Sequence, residues 1–143
     1  MPVPTHVEAR VTRRFAAPPA RVFDAWLDPD LVRRWFAPGM GEMLRIDVDA
    51  RVGGAFSFVQ RRGAADVDHV GEYLEFDRPR RLAFTWGVRP DTPSSRIVID
   101  VAPLADACEV TLTQEMSAEW AQFTARAEEA WGRMLDAMAA ALD

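Results

Sequence analysis

Lysine is absent from the 143 residues, and every basic side chain is arginine. That excludes Schiff-base chemistry and a phosphate-loop lysine. Cysteine occurs once, at Cys108, so neither an intramolecular disulfide nor a multi-cysteine zinc site can form. Cys108 also sits beside Asp106 and Glu109, which oppose a thiolate rather than favour one. There are two histidines, His6 and His69, with His6 close to a terminus expected to fray, so a multi-histidine transition-metal site is not expected. No run approaches the ~18 uninterrupted apolar residues of a membrane span. The first residues lack the basic, apolar and small-residue regions of a signal peptide, so a cytoplasmic location is expected. A net charge of −5 gives no bulk attraction to nucleic acid or anionic lipid. The paired arginines, such as Arg33-Arg34 and Arg61-Arg62, are short and scattered and predict solvated surface.

What is present is globular: 49% hydrophobic and 27% charged residues in a length that fits one domain, 1–143. Ser117 to Leu142 has the period of one long amphipathic helix. Trp120, Phe123, Thr124, Ala127, Trp131, Met134, Leu135, Met138 and Leu142 fall on one face, with Arg126, Glu129, Arg133 and Asp136 on the other. Ser117 suits its N-cap, and its length would be roughly 35–40 Å. Ahead of it, Thr5 to Phe15 alternates as a half-buried strand. Pro18-Pro19 opens a short helix, and Asp28-Pro29 caps and opens a second, which Pro38-Gly39-Met40-Gly41 ends. From Met43 to Met116 the period is two. Leu44, Ile46 and Val48 share one face, as do Leu82, Phe84, Trp86 and Val88, and about six strands are separated by short turns. Gly71 is expected to bend one of them. The order strand, two short helices, antiparallel strands, long helix predicts an α+β fold.

Several local motifs carry a resemblance. They are Arg14-Phe15-Ala16-Ala17-Pro18, Asp28-Pro29-Asp30-Leu31, Trp35-Phe36-Ala37-Pro38 and Val52-Gly53-Gly54-Ala55-Phe56-Ser57-Phe58. Gly71-Glu72-Tyr73-Leu74-Glu75-Phe76, Arg81-Leu82-Ala83-Phe84-Thr85-Trp86 and Ala130-Trp131 with Leu135 continue them. In this order and spacing, over nearly the whole chain, the sequence resembles the START-like (SRPBCC) superfamily. Within it, it is similar to the activator of heat-shock protein 90 ATPase homologue-like family. The resemblance implies a helix-grip (Bet v 1-like) fold, a curved antiparallel sheet wrapped around the C-terminal helix, commonly with a cavity between them. It implies no single activity, because a shared fold is not a shared function. The chain departs from the family's pattern at Ala130, where glycine is common, and at Ala17, where a capping serine is common.

The aromatic set is the main functional signal, since rings with few polar groups make up many small-molecule sites. The expected ligand-binding residues are Trp35, Phe36, Phe56, Phe58, His69, Tyr73, Phe84, Trp86, Trp120, Phe123, Thr124 and Trp131. Trp120 and Phe123 are expected at the cavity mouth and Trp131 deep against the sheet. His69 and Tyr73, four apart on one strand face, are the only candidates for proton transfer. Ser57, Ser94, Ser95 and Ser117 lack a hydrolase elbow, and no catalytic set is complete. Asp47, Asp49, Asp66 and Asp68 do not fit a calcium loop. The expected function is binding of a small apolar or amphipathic ligand without a cofactor or metal. The alternatives are a chaperone ATPase activator, whose eukaryotic examples carry a further N-terminal domain, and a cyclase or dehydratase using the same cavity. A homodimer is admitted as a partner state.

Overall fold

The stretches of period two become seven strands in the computed structural model, which describes residues 6–91, 93 and 95–142. Thr5 and Ser94 lie outside the described residues. Strand β1 is His6–Phe15. Helices α1, Pro19–Ala25, and α2, Pro29–Trp35, follow it. Then come β2, Met43–Val48; β3, Ala55–Arg62; β4, Ala65–Asp77; β5, Arg81–Val88; β6, Ser95–Leu104; and β7, Ala107–Ser117. Helix α3, Thr124–Leu142, ends the described chain. No described helix is long and apolar enough to cross a membrane.

The strands form one antiparallel sheet in the order β1-β7-β6-β5-β4-β3-β2. Strands β2 to β7 are a meander in which each pairs with the next. Gly63-Ala64 closes the β3–β4 hairpin between Arg62 and its partner Ala65, with Gly63 at φ 65°. Only β1 breaks the sequential order, pairing with β7 from His6↔Ser117 to Phe15↔Cys108. Since β1 and β2 are opposite edges, α1 and α2 carry the chain across one face of the sheet. Helix α2 starts as its sequence dictates: the Asp28 carboxylate accepts from the Asp30 amide at 2.9 Å, and Pro29 takes the first helical position.

Two strand details differ from the sequence reading. Leu44 points outward and Met43 inward, because a bulge between Met43 and Arg45 shifts the pairing with β3. The irregularity in β4 falls between Tyr73 and Glu75, while the strand runs through Gly71.

The C-terminal helix also starts later than its periodicity predicts. Ser117 is the last residue of β7 and makes no side-chain cap, and Ala118–Phe123 is a 3-10 helix. Trp120 and Phe123 pair with each other, 5.4 Å between ring centres, and Arg126 lies over Phe123 at 5.7 Å. Trp120 remains 46% exposed. This apolar pair packs within its own turn, while the segment lies against β1 and β7. Thr124 opens the α-helix proper, and its hydroxyl donates to the Ala121 carbonyl at 3.1 Å.

Helix α3 lies over β1 and against α2. At Gly132 an added Cβ would stand 2.8 Å from the tip of the Arg13 guanidinium, which would have to move aside. Arg13 reaches Asp136 at 2.9 Å, and the Arg10 amide on the open edge of β1 donates to Glu128 at 2.9 Å. The helix thereby shields a sheet edge that would otherwise offer free donors. Trp131 is buried beneath it, 5.3 Å from Trp86 and 6.3 Å from Trp26. Trp131→Ala is therefore expected to lose about 3–5 kcal/mol in chemical denaturation. Phe123→Ala should lose about 1 kcal/mol, the size of one exposed aromatic pair. Equal losses would mean that both rings are packed alike.

Candidate functional site

A half-open recess of about 480 Å³ lies between α3 and the sheet. Its helix wall is Arg126, Ala127, Ala130, Trp131, Arg133 and Met134. Phe36, Ala37, Pro38 and Met40, in the loop after α2, close one side. The sheet contributes Arg62 from β3, His69 from β4, Trp86 and Val88 from β5, and Gln114 from β7. A smaller pocket of about 190 Å³ adjoins it, sharing Trp86, Val88 and Gln114 and bounded by Trp120. A further depression, on the other side of the Phe36–Gly41 loop, is flanked by the exposed Arg33 and Arg34 and has little apolar wall.

Polar contacts fix the walls. The Trp131 indole donates to Gln114 Oε1 at 2.9 Å, and Gln114 Nε2 donates to Ser95 Oγ at 3.1 Å. Gln60 is fully buried, and its Nε2 donates to the carbonyls of Ala37 at 3.3 Å and Gly41 at 3.2 Å. Its oxygen accepts from Arg62 Nε at 2.8 Å. The loop so held is strained: Ala37 has φ 38°, and at Gly41, φ 152°, any Cβ would overlap the Arg61 carbonyl.

His69 is 4% exposed, set edge-on to Phe36 at 4.8 Å and stacked on Trp86 at 5.7 Å. Its Nδ1 lies 3.1 Å from the Phe58 carbonyl. A carbonyl only accepts, so Nδ1 carries the proton and Nε2 keeps its lone pair. Burial is the main influence on its pKa and pushes it down; the Phe58 contact partly opposes this and the nearby Arg62 adds to it.

The candidate residues divide. Phe36, His69, Trp86 and Trp131 come together on the recess, and Trp120 lines the adjoining pocket. Trp35, Phe56, Phe58, Tyr73 and Phe84 are packed in the core instead. Tyr73 is surrounded by Phe56, Phe76 and Phe84, and burial, with Asp49 nearby, pushes its phenol up, so it keeps its proton and is set apart from His69 as a transfer group. Phe123, at the end of the 3-10 turn, and Thr124, the first residue of α3, do not line the recess. Burial raises the Cys108 thiol as well.

One arginine read as solvated surface is corrected: Arg62 is half-buried on the recess wall. Arg126 and Arg133, assigned to the outer helix face, are exposed but reach its rim. Each is long enough to lay its stem along the wall, which helical periodicity does not register. Gln114, Ala127, Ala130 and Met134 are further lining residues. The readable signal for the alanines was two small side chains on the apolar stripe beside Trp131. The strand aspartates hold arginines: Asp47 with Arg45, Asp49 with Arg51, Asp66 with Arg61 and Asp68 with Arg89, at 2.9–3.2 Å. Among the described residues no three His, Cys, Asp or Glu side chains are grouped to hold a metal ion.

The sequence model of the family described as "Activator of Hsp90 ATPase homolog 1-like protein" matches residues 16–143. No curated protein matches. Among solved structures, protein CV1439 from Chromobacterium violaceum is 27% identical, with 94% of this chain and 96% of that chain covered and a TM-score of 0.81. Mll3558 from Rhizobium loti is 26% identical over 94% and 96% of the two chains, with a TM-score of 0.73. Ms6760 from Mycobacterium smegmatis, 21% identical over 95% and 90%, shares the fold with a TM-score of 0.81.

The lowered pKa of His69 has a consequence for stability. The unfolded chain takes up this proton as pH falls through about 6.5, while the folded protein resists it. Stability is therefore complete above that pH and declines as pH drops through the window beneath it. Asp24 and Glu75, held below the usual carboxylate range chiefly by hydrogen bonds from Arg78 and Arg81, add their losses at lower pH. In urea titrations at pH 7.5 and 5.5, His69→Asn, which keeps a donor for Phe58, is expected to show a smaller decline than the wild type. An identical decline would mean that His69 is not the group responsible.

Proposed function

The chain belongs to the activator of Hsp90 ATPase homolog 1-like protein family, and from that premise we propose that it binds a small apolar or amphipathic molecule in the recess between α3 and the sheet. One observation carries this reading. Between Trp131, which packs on Trp86, and the rim arginines, helix α3 presents only the small side chains of Ala127 and Ala130, and the space they leave is lined by Phe36, Trp86 and Met134. A ligand seated there would remove the apolar lining from water, the non-directional gain on which such sites draw. The volume of the recess lies within the range of about 300–1,000 Å³ common for small-molecule sites. Flat aromatic walls favour a planar or extended apolar body.

A second reading, proton transfer to a bound substrate, is favoured by His69 on the same wall with its Nε2 lone pair free of the Phe58 contact. Mass spectrometry of a bound molecule before and after incubation separates the two: an unchanged mass supports a carrier, a changed mass an enzyme. The family's description also names an activator of a chaperone ATPase. Adding the protein to that chaperone tests this role, and unchanged ATP turnover speaks against it.

The binding reading is tested by tryptophan fluorescence against a panel of fatty acids, lipids and aromatic polyketides, since Trp86 and Trp131 line the recess. Quenching is expected from at least one class. Ala130→Leu should fill the space and weaken that ligand about tenfold or more, while its unfolding free energy stays within about 1 kcal/mol of wild type. Unchanged affinity in Ala130→Leu, or no quenching across the panel, would overturn the assignment of the recess.

A further inference from the structure

The half-buried arginines are not alike. Four are found among the described residues: Arg13, Arg62, Arg81 and Arg96. Arg13 holds Asp136 at 2.9 Å. Arg81 holds Glu75 at 2.8 Å and Asp100 at 3.0 Å. Arg96 reaches Glu75 at 3.4 Å and Glu115 at 3.8 Å. Arg62 makes no ion pair among the described residues. Its Nε is taken by the neutral Gln60 oxygen, which leaves the Nη end of the guanidinium, the fork that matches a carboxylate, for an acceptor from outside. Burial alone moves its pKa, downward, the direction expected of a cation removed from water without a counter-charge.

The surroundings extend the point. The protein carries a net charge of −5, yet no Asp or Glu lines the recess, while Arg62, Arg126 and Arg133 do. Arg133 has a partner in Glu129 at 3.3 Å; among the described residues Arg126 has the Phe123 ring beside it and no carboxylate partner. His69 is held as a hydrogen-bonded neutral ring and brings no negative charge. Uncharged and cationic ligands gain nothing from this arrangement, and a cation would be repelled. An anion would supply the partner that Arg62 lacks, and in a partly desolvated site such a pair is stronger than one in open water.

We propose that the natural ligand is an amphipathic organic carboxylate, with its carboxylate on Arg62, supported by Arg126 at the mouth, and its apolar body between Trp86, Phe36 and Met134. The proposal rests on the reading of the recess as a ligand site and adds the charge and orientation of the ligand. The carboxylate sits toward β3 and the loop after α2, and the body extends along α3.

The test is calorimetric titration with matched pairs: decanoate against decanamide, and 2-naphthoate against 2-naphthamide. At least one carboxylate is expected to bind about tenfold or more tightly than its amide, with the preference shrinking as NaCl is raised. Arg62→Gln should reduce the carboxylate to the level of the amide while leaving the amide within about twofold of its wild-type affinity. Because Arg62 also donates to buried Gln60, circular dichroism accompanies this variant. Should it fail to fold, Arg126→Gln, at an exposed helix position, is expected to lose part of the preference, whereas Arg14→Gln on the exposed face of β1 should lose none. Equal binding of acid and amide by the wild type would overturn the charge assignment and leave the recess a neutral-ligand site. A carboxylate preference that survives both Arg62→Gln and Arg126→Gln would overturn the choice of residues. Binding of neither member of either pair, with no quenching across the wider panel, would remove the ligand site itself and this inference with it.

Discussion

The hydrogen bond from the Trp131 indole to Gln114 is the contact on which the relation between helix and sheet depends. It does not act alone. Gln114 Nε2 donates to Ser95 Oγ, and Ser95 Oγ donates to the Trp86 carbonyl at 3.1 Å, so one polar chain runs from α3 through β7 and β6 to β5. Apolar burial is non-directional and would let an amphipathic helix turn or slide over a ring-covered sheet with little penalty. A buried amide with both ends used cannot slide: any shift leaves an indole N–H or a glutamine oxygen unsatisfied, at about 1–3 kcal/mol each. The chain therefore sets the height and rotation of α3, and with them which side chains of the helix face the sheet. Trp131 then packs against Trp86 and Trp26, while Ala127 and Ala130, on the turn before it, are held off the sheet and leave space beneath them.

The other wall is built on the same principle with a different glutamine. Gln60 ties β3 to the loop after α2 through the Ala37 and Gly41 carbonyls and takes Arg62 on its oxygen. Ala37 in a left-handed conformation and the close approach of Gly41 to β3 are unfavourable locally, and they persist because this amide over-determines the loop. An open recess between two apolar layers normally invites collapse, because closing it would take apolar surface out of water. Here the layers are pinned by directional bonds on both sides, so relaxation into the space would have to break them. The recess is held open by polar geometry, and only its surface is apolar.

This explains how far the sequence could be read. The strands and turns, the Asp28-Pro29 helix start and the deep position of Trp131 were legible, because alternation, capping chemistry and a continuous apolar stripe are local signals. The start of α3 was not. Trp120 and Phe123 continue the helical period, and only the fold reveals that they pair with each other within a turn of their own. Leu44 was misplaced by a bulge that no composition announces. The strand aromatics mark the inward face of the sheet, but period two cannot distinguish a ring packed among other rings from one on the recess, so Phe56, Phe58, Tyr73 and Phe84 shared the expectation with Trp86. The arginines were lost for another reason. A helical wheel gives each residue one direction, whereas the side chains of Arg126 and Arg133 run along the surface to reach the rim. Arg62 sits next to Arg61 in sequence, and nothing in that pair tells the half-buried member from the solvated one.

The polar groups of the recess thus fall into two sets. Gln60, Gln114, the Trp131 indole and Nδ1 of His69 are bonded within the protein, and they keep the walls in place. The Nη end of Arg62, Nε2 of His69 and the guanidinium of Arg126 are the groups left to meet something outside. A ligand that engages the second set does not compete with the first, so its binding need not be spent on rearranging the container. Without a ligand the division has a standing cost, because a half-buried guanidinium without a counter-charge is less well solvated than an exposed one. The three arginines of similar burial that do have carboxylates, Arg13 with Asp136 of α3 and Arg81 and Arg96 with strand residues, show that the fold supplies them readily elsewhere. Their absence from the recess is therefore a property of that place, and it sets the sign of charge that the space can accept.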